Sequence, residues 1–254
     1  MNKTVIVVAA LLCGSRLALA QQSAAEHIAL GDKEHASNNI ARALAHYQAA
    51  IKVDSNNVSA LNKAAYDAVD LGEFDPSEQR RDTLYRQAEA WARRATQLDS
   101  TDAETHFQLA RAVGRRALTM GKRDQVKFAS EVYNEAQAAL RLNPKHSGAL
   151  HVMGVWNEHI MQLNGITRML AKTLLGGKVF GEASWDKAQS YLEQAVALDP
   201  NRITHRLDLG MVYADRDMKE KAKEQFEWIA RAAATDYNDV KYKELAARRL
   251  KEIQ

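Results

Sequence analysis

Apolar side chains recur along this chain at three- and four-residue steps, the spacing that lines one face of a helix. A longer period is superimposed on the short one. Four segments align without gaps: Ala50-Ile51-Lys52-Val53-Asp54-Ser55, Ala95-Thr96-Gln97-Leu98-Asp99-Ser100, Ala139-Leu140-Arg141-Leu142-Asn143-Pro144 and Ala195-Val196-Ala197-Leu198-Asp199-Pro200. Three residues before each leading alanine stands Tyr47, Ala92, Ala136 or Leu192; seven before it stands Ala43, Ala88, Val132 or Ala188. Small residues at one place on a helix face mark where a neighbouring helix comes close. The Asp/Asn-Ser/Pro pair is expected to end the helix and turn the chain, since proline cannot continue it.

A second helix precedes each of these. Gly31 stands 12 residues before Ala43 with Leu30 beside it, and Gly210 stands 12 before Ala222 with Leu209 beside it. Tyr47 and Phe226 each follow 16 residues after their glycine. Leu-Gly, then alanine, then an aromatic at these offsets is the tetratricopeptide pattern, a repeated helix–turn–helix. The chain resembles an all-α, right-handed superhelical solenoid of about five such pairs. The end units are compact and the middle three are stretched: Ala65 to Ala88 is 23 residues, Ala110 to Val132 is 22 and Gly154 to Ala188 is 34. Longer helices or longer connections would account for the difference.

The added residues also read as helical. Asp75-Pro76-Ser77-Glu78 is a start signal, with Asp75 expected at the cap. A polar turn is expected between Gly121 and Gln125. The largest insertion, within 164–184, carries Ile166, Met169, Leu170, Leu174 and Leu175 at helical spacing before Gly176-Gly177 breaks the pattern. Two readings of residues 166–182 stay open: packing over the fourth unit, or contact with a partner or a membrane surface. From Asn238 to the end, one more helix is expected to cap the array, with Val240, Tyr242, Leu245, Leu250 and Ile253 inward.

One set of motifs is more specific than the generic repeat. It runs His151-Val152-Met153-Gly154-Val155-Trp156-Asn157-Glu158, Lys172-Thr173-Leu174-Leu175-Gly176-Gly177, Ser184-Trp185-Asp186-Lys187-Ala188 and Leu198-Asp199-Pro200-Asn201, then His205-Arg206-Leu207-Asp208-Leu209-Gly210 and Tyr242-Lys243-Glu244-Leu245-Ala246. This order is similar to the regulator of microtubule dynamics family of tetratricopeptide proteins, and most like its bacterial members. The resemblance runs from about Ala24 to the end and implies an all-helical scaffold with an insertion in the fourth repeat.

Composition adds compartment and partner. Lys3, an apolar stretch to Leu12 and Ala18-Leu19-Ala20 before Gln21 have the grammar of a secretory signal peptide. Residues 1–20 are therefore expected to be a cleaved leader and 21–254 the repeat domain, periplasmic or secreted. Its apolar core is too short to span a bilayer, and Arg16 interrupts it. Cleavage removes Cys13, the single cysteine, and with Lys3 and Arg16 leaves 33 basic against 32 acidic side chains. A near-neutral chain with dispersed cations is no nucleic-acid footprint, and no transmembrane segment is expected after cleavage.

Candidate chemistry is sparse. The eight histidines include no HExxH pair, and His151 and His159 stand too far apart to share a metal without further ligands. No phosphate loop, nucleophile elbow or thiol nucleophile occurs, so no cofactor, metal or catalytic residue is assigned. Glu131 and Glu135 read as a solvated pair, and Trp91, Trp156, Trp185 and Trp228 as inter-helix packing. Projecting the repeat puts Asn62, Tyr66, Phe107, Arg111, Arg115, His151, Val155 and His159 toward a concave groove. There the asparagine amide would bond a peptide backbone and the arginine forks a carboxylate. The expectation is a non-enzymatic protein- or peptide-binding scaffold of the cell envelope. The alternatives are a structural subunit using the insertion and outer faces and, more remotely, an unrecognised hydrolase.

Overall fold

The computed structural model describes residues 22–164 and 178–253. Among the described residues there are eleven α-helices and no strand. They form five consecutive pairs: α1 (Ala24–Ala36) with α2 (Ile40–Val53), α3 (Val58–Glu73) with α4 (Glu78–Leu98), α5 (Ala103–Ala117) with α6 (Lys122–Leu142), α7 (Ser147–Gln162) with α8 (Trp185–Leu198), and α9 (Ile203–Asp215) with α10 (Lys219–Arg231). A last helix, α11 (Asp239–Glu252), packs on α9 and α10. Each helix packs on its partner and each pair on the next.

The end pairs are built from helices of 13 or 14 residues. In the second and third pairs the first helix has 16 or 15 residues and the second has 21. The stretch predicted for these units therefore lies mainly in long second helices. Residues 165–177, which carry Ile166 to Leu175 and Gly176-Gly177, lie outside the described residues. After them a 3-10 turn at Lys178–Glu182 drops Phe180 into the core, 2% exposed and stacked on Trp156.

Helix ends show why the four aligned segments agree. Asp54, Asp99, Asn143 and Asp199 are all C-caps, and their N–H groups donate to the carbonyls of Ala50, Ala95, Ala139 and Ala195. The side chains of Asp54, Asp99 and Asn143 then accept the N–H two residues on, at 3.0, 2.9 and 3.0 Å. This Asx geometry turns the chain, so the acid or amide stops the helix and proline only accompanies it. Two boundaries differ from expectation. Ser77, not Asp75, caps α4: its hydroxyl accepts from Arg80 N, while Asp75 accepts from Ser77 N at 2.9 Å. The third pair turns earlier than 121–125, because Gly121 is already the N-cap of α6.

The packing rule is a ring or leucine seated on a glycine. A Cβ added at Gly31 would lie 2.4 Å from the Tyr47 ring, at Gly72 2.6 Å from Tyr85, and at Gly210 2.6 Å from Phe226. Gly154 faces Leu192 at 2.4 Å, and Gly148 receives Phe107 at 2.6 Å. The small residues of the aligned segments surround these seats: Ala43, Ala50, Ala88, Ala92, Ala95, Ala136, Ala139, Ala188 and Ala195 are fully buried.

The array curls until its last unit touches its first two. Asn38 in the first turn, at a positive φ of 58°, donates to the Thr235 carbonyl at 3.0 Å. Asn238 donates to the Asp70 carbonyl at 2.9 Å, and Arg202 to the Tyr66 hydroxyl at 2.5 Å. Tyr242 packs edge-on against Phe74 at 5.4 Å. The cap therefore covers α9 and α10 and also meets α3. Of the residues expected inward on α11, Val240 is instead 58% exposed. It lies in the first turn, where neighbouring Asp239 is the buried residue, its carboxylate accepting from Thr235 and Asp236 N.

The glycine seats generate a paired test. Gly154→Ala drives a methyl into Leu192 and should lose about 1–3 kcal/mol in urea denaturation. Gly114→Ala meets only Val132 at ordinary contact, 3.6 Å, and should gain up to about 1 kcal/mol from helix propensity.

Candidate functional site

The first helices of the pairs supply the residues predicted for the groove, but the structure does not bring all eight to one open surface. Asn62 and Tyr66 line a cleft of about 650 Å³ walled by α1, α2, α3 and the start of α5. Phe107 does not line it. It is 8% exposed and packs with Ala139 and Ala149 over Gly148, since a glycine opposite a ring leaves a hole that the ring fills. Val155 is half-buried against the core of the last units. His159 is exposed, and His151 is hydrogen-bonded to Asp208 at 2.6 Å.

Arg111 and Arg115 both reach back to α3, and they are not free to bind a carboxylate. Arg111 lies over the Tyr66 ring at 4.3 Å, donates to the Tyr66 carbonyl at 3.1 Å and pairs with Asp70. Arg115 pairs with Glu73 at 2.5 Å. Both acids belong to α3, one unit back, and a guanidinium this enclosed needs an anion to compensate its lost hydration. Glu131 and Glu135 are likewise engaged across helices, with Arg93 at 2.5 Å and His106 at 2.6 Å, and do not form a solvated pair.

The cleft beside this network has a different character. Its wall carries the carboxylates Asp32, Asp67, Asp102 and Glu104, with Lys63 and His35 as its cations. Asp32 accepts from Lys63 at 2.7 Å and from the Tyr47 hydroxyl at 2.8 Å. Burial would raise its pKa, but those two hydrogen bonds outweigh it and hold the carboxyl below the ordinary range. His35 bonds Asp67 at 2.8 Å, and that carboxylate holds the imidazole above its usual value against the effect of burial. Glu104 accepts from Gln108 at 2.6 Å and from His146 at 3.1 Å. Burial pushes Glu104 up, yet these donors leave it lowered and therefore ionised. His146 caps α7 by accepting from Ala149 N through Nδ1, so its proton sits on Nε2, facing Glu104.

Three buried acceptors of this wall have no hydrogen-bond partner among the described residues: Asn62 Oδ1, Asp67 Oδ2 and Gln108 Oε1. The three residues are 6%, 1% and 1% exposed. Periodicity could place Asn62 on the inner face, but it could not identify the cleft acids, which come from three helices and one cap. The only sequence signal for them was the acidic content of α1 and of the α5 start.

A second polar cluster joins α7 to α9. His151 stacks on His205 at 4.8 Å, and Gln162 bridges Glu158 at 3.3 Å and Asp215 at 2.9 Å. Among the described residues no three His, Cys, Asp or Glu side chains are gathered as around a metal ion. Burial, then the charges of Asp208 and Asp215, push the Glu158 carboxyl up to about 8. The folded chain thus holds a proton that the unfolded chain releases above about 4.5, so stability falls as pH rises between those values. Glu158→Gln should melt like the wild type at pH 4.5 and at a higher temperature than it at pH 8.5, by calorimetry.

A family model described as Regulator of microtubule dynamics protein 1-3 matches residues 23–254. Regulator of microtubule dynamics protein 1 from Bos taurus is 25% identical over 170 residues, 66% of this chain and 52% of that protein. The Homo sapiens protein of that name is 25% identical over 163 residues, 64% and 51%. The chain spans about half the length of the curated relatives it matches. In structure it is similar to a thermophilic tetratricopeptide protein from Thermus thermophilus, with a TM-score of 0.64 and 19% identity over 90% of this chain and 99% of that one. The fold is thus a tetratricopeptide solenoid, and the chain belongs to the regulator of microtubule dynamics protein 1-3 family.

Proposed function

We propose that this chain is a non-enzymatic scaffold, exported to the cell envelope, that holds an extended segment of a partner protein in the cleft between α1, α3 and α5. The observation that carries this reading is the cleft itself. It is an open cavity of about 650 Å³ between first helices of successive units, lined mostly by polar residues, and its wall holds buried acceptors that no described side chain satisfies. Leaving such groups unpaired costs about 1–3 kcal/mol each. A peptide that donates to them recovers that cost on binding. Export rests on the leader-like first twenty residues. Among the described residues no helix is long and apolar enough to cross a membrane.

A second reading has its own support. Val53, Leu98, Leu142 and Leu198 occupy the same place in four successive units, just before the capping residue, and are 37–46% exposed. A repeated apolar edge of this kind suits a subunit that docks by its outer face.

Ser59 is an exposed residue of the cleft wall and separates the two readings. Ser59→Trp should keep the wild-type melting temperature and lose a partner that the wild type retains from an envelope extract; undiminished capture sinks the cleft reading. A triple variant, Leu98→Gln, Leu142→Gln and Leu198→Gln, should keep that partner. Should it instead lose a larger assembly seen by sedimentation, the outer edge is the docking surface.

A further inference from the structure

We infer that the cleft between α1, α3 and α5 recognises a cationic side chain, a lysine or arginine of the bound segment. This deepens the peptide-holding reading above and rests on it. The first support is the chemistry of the wall. Four carboxylates face one ammonium and one imidazole, so the cavity favours positive charge. The second is independent of charge: the unpartnered buried polar atoms of this wall are all oxygens. Asn62 Oδ1, Asp67 Oδ2 and Gln108 Oε1 belong to residues at least nine-tenths buried.

The Gln108 amide is not free to swap its ends. Its Nε2 must face Glu104, because an ionised carboxylate only accepts, and this leaves the oxygen as the orphan. Asp67 has one oxygen on His35 and the other unpaired, and burial pushes its carboxyl up against the opposing hold of His35. A segment presenting carboxylates would meet only repulsion from these groups. An ammonium or guanidinium brings several donors and the complementary charge, in the class of hydrogen bond that is strongest in proteins.

The wall already takes a cation of its own in this manner. Lys63 Nζ lies 2.7 Å from Asp32 and 5.8 Å from the centre of the Tyr47 ring. The chain's neighbouring guanidinium groups offer no competing anion receptor. Arg111 is committed to Asp70, Arg115 to Glu73, and Arg202 to Tyr66 and to Asp236 at 2.7 Å.

Fluorescein-labelled alanine nonapeptides with a single central Arg, Lys, norleucine or Glu test this by anisotropy on the purified protein. The Arg and Lys peptides should bind at least about tenfold tighter than the norleucine and Glu peptides, the factor expected for one charged hydrogen bond. Their affinity should fall between 50 mM and 500 mM salt as charges are screened. Asn62→Leu and Glu104→Gln, checked for an unchanged melting temperature, should weaken the Arg peptide and leave norleucine unmoved. Equal binding of all four peptides overturns the cation preference and leaves peptide holding intact. Tighter binding of the Glu peptide overturns it in favour of a carboxylate receptor. Failure of every peptide to bind overturns both readings.

Discussion

Four of the five helix pairs in this protein close where one side chain is missing. The ring of Tyr47 occupies the volume that a Cβ on Gly31 would need, and Phe226 does the same over Gly210. Leu192 sits over Gly154 and Tyr85 over Gly72. Because interiors are packed near crystal density, each seat sets how closely two helices approach and hence how the next pair is carried. The buried alanines of the second helices extend the same condition along each contact. An array built this way has little freedom in its curvature, since small errors at one seat would accumulate over five pairs.

That curvature brings the ends together, and the meeting point decides where charge can reside. At the junction of α3, α5 and the C-terminal segment, Arg111 is stacked on Tyr66 and tied to Asp70, whose carbonyl accepts from Asn238. Arg202 reaches back to the Tyr66 hydroxyl from the fifth unit. Tyr66 therefore links the closure to the cleft: one side of the residue serves the ring of contacts, and the residue also lines the cavity. Burying a guanidinium without its acid would leave an uncompensated charge, a loss of about 3–5 kcal/mol. Arg111 thus ties the third unit to the second, and Arg202 ties the fifth to the second.

Much of the fold was legible in the residues because its determinants are local. Gly31 and Tyr47 are 16 residues apart, as are Gly210 and Phe226, and a compact pair keeps that offset. The capping Asp or Asn acts within two residues of itself, so four segments aligned without gaps. The seats of the stretched units were not legible. Gly148 receives Phe107 from the preceding unit, and Gly154 meets Leu192 across an insertion, so no fixed offset marks them. Phe107 was misplaced for this reason: a helix projection gives the side of a residue and not the gap opposite it. Val240 was misplaced because end turns of a cap are set by capping contacts such as Asp239 to Thr235, which outrank hydrophobic alternation.

The candidate site shows the same boundary between direction and partnership. Arg111 and Arg115 stand one helical turn apart on α5, and taken alone two forks at that spacing suit an anion. Their acids, Asp70 and Glu73, lie on α3 in the preceding unit and become partners only once α3 and α5 are packed. Those ion pairs consume the positive charge of the inner face. What is left beside them is an excess of carboxylate in the cleft, with Glu104 kept ionised by Gln108 and His146 and Asp32 by Lys63 and Tyr47. The closure of the solenoid and the sign of its cleft are therefore one result. The same packing that spends the arginines on structure leaves acceptors without donors, and the preference of the site passes from anions to cations.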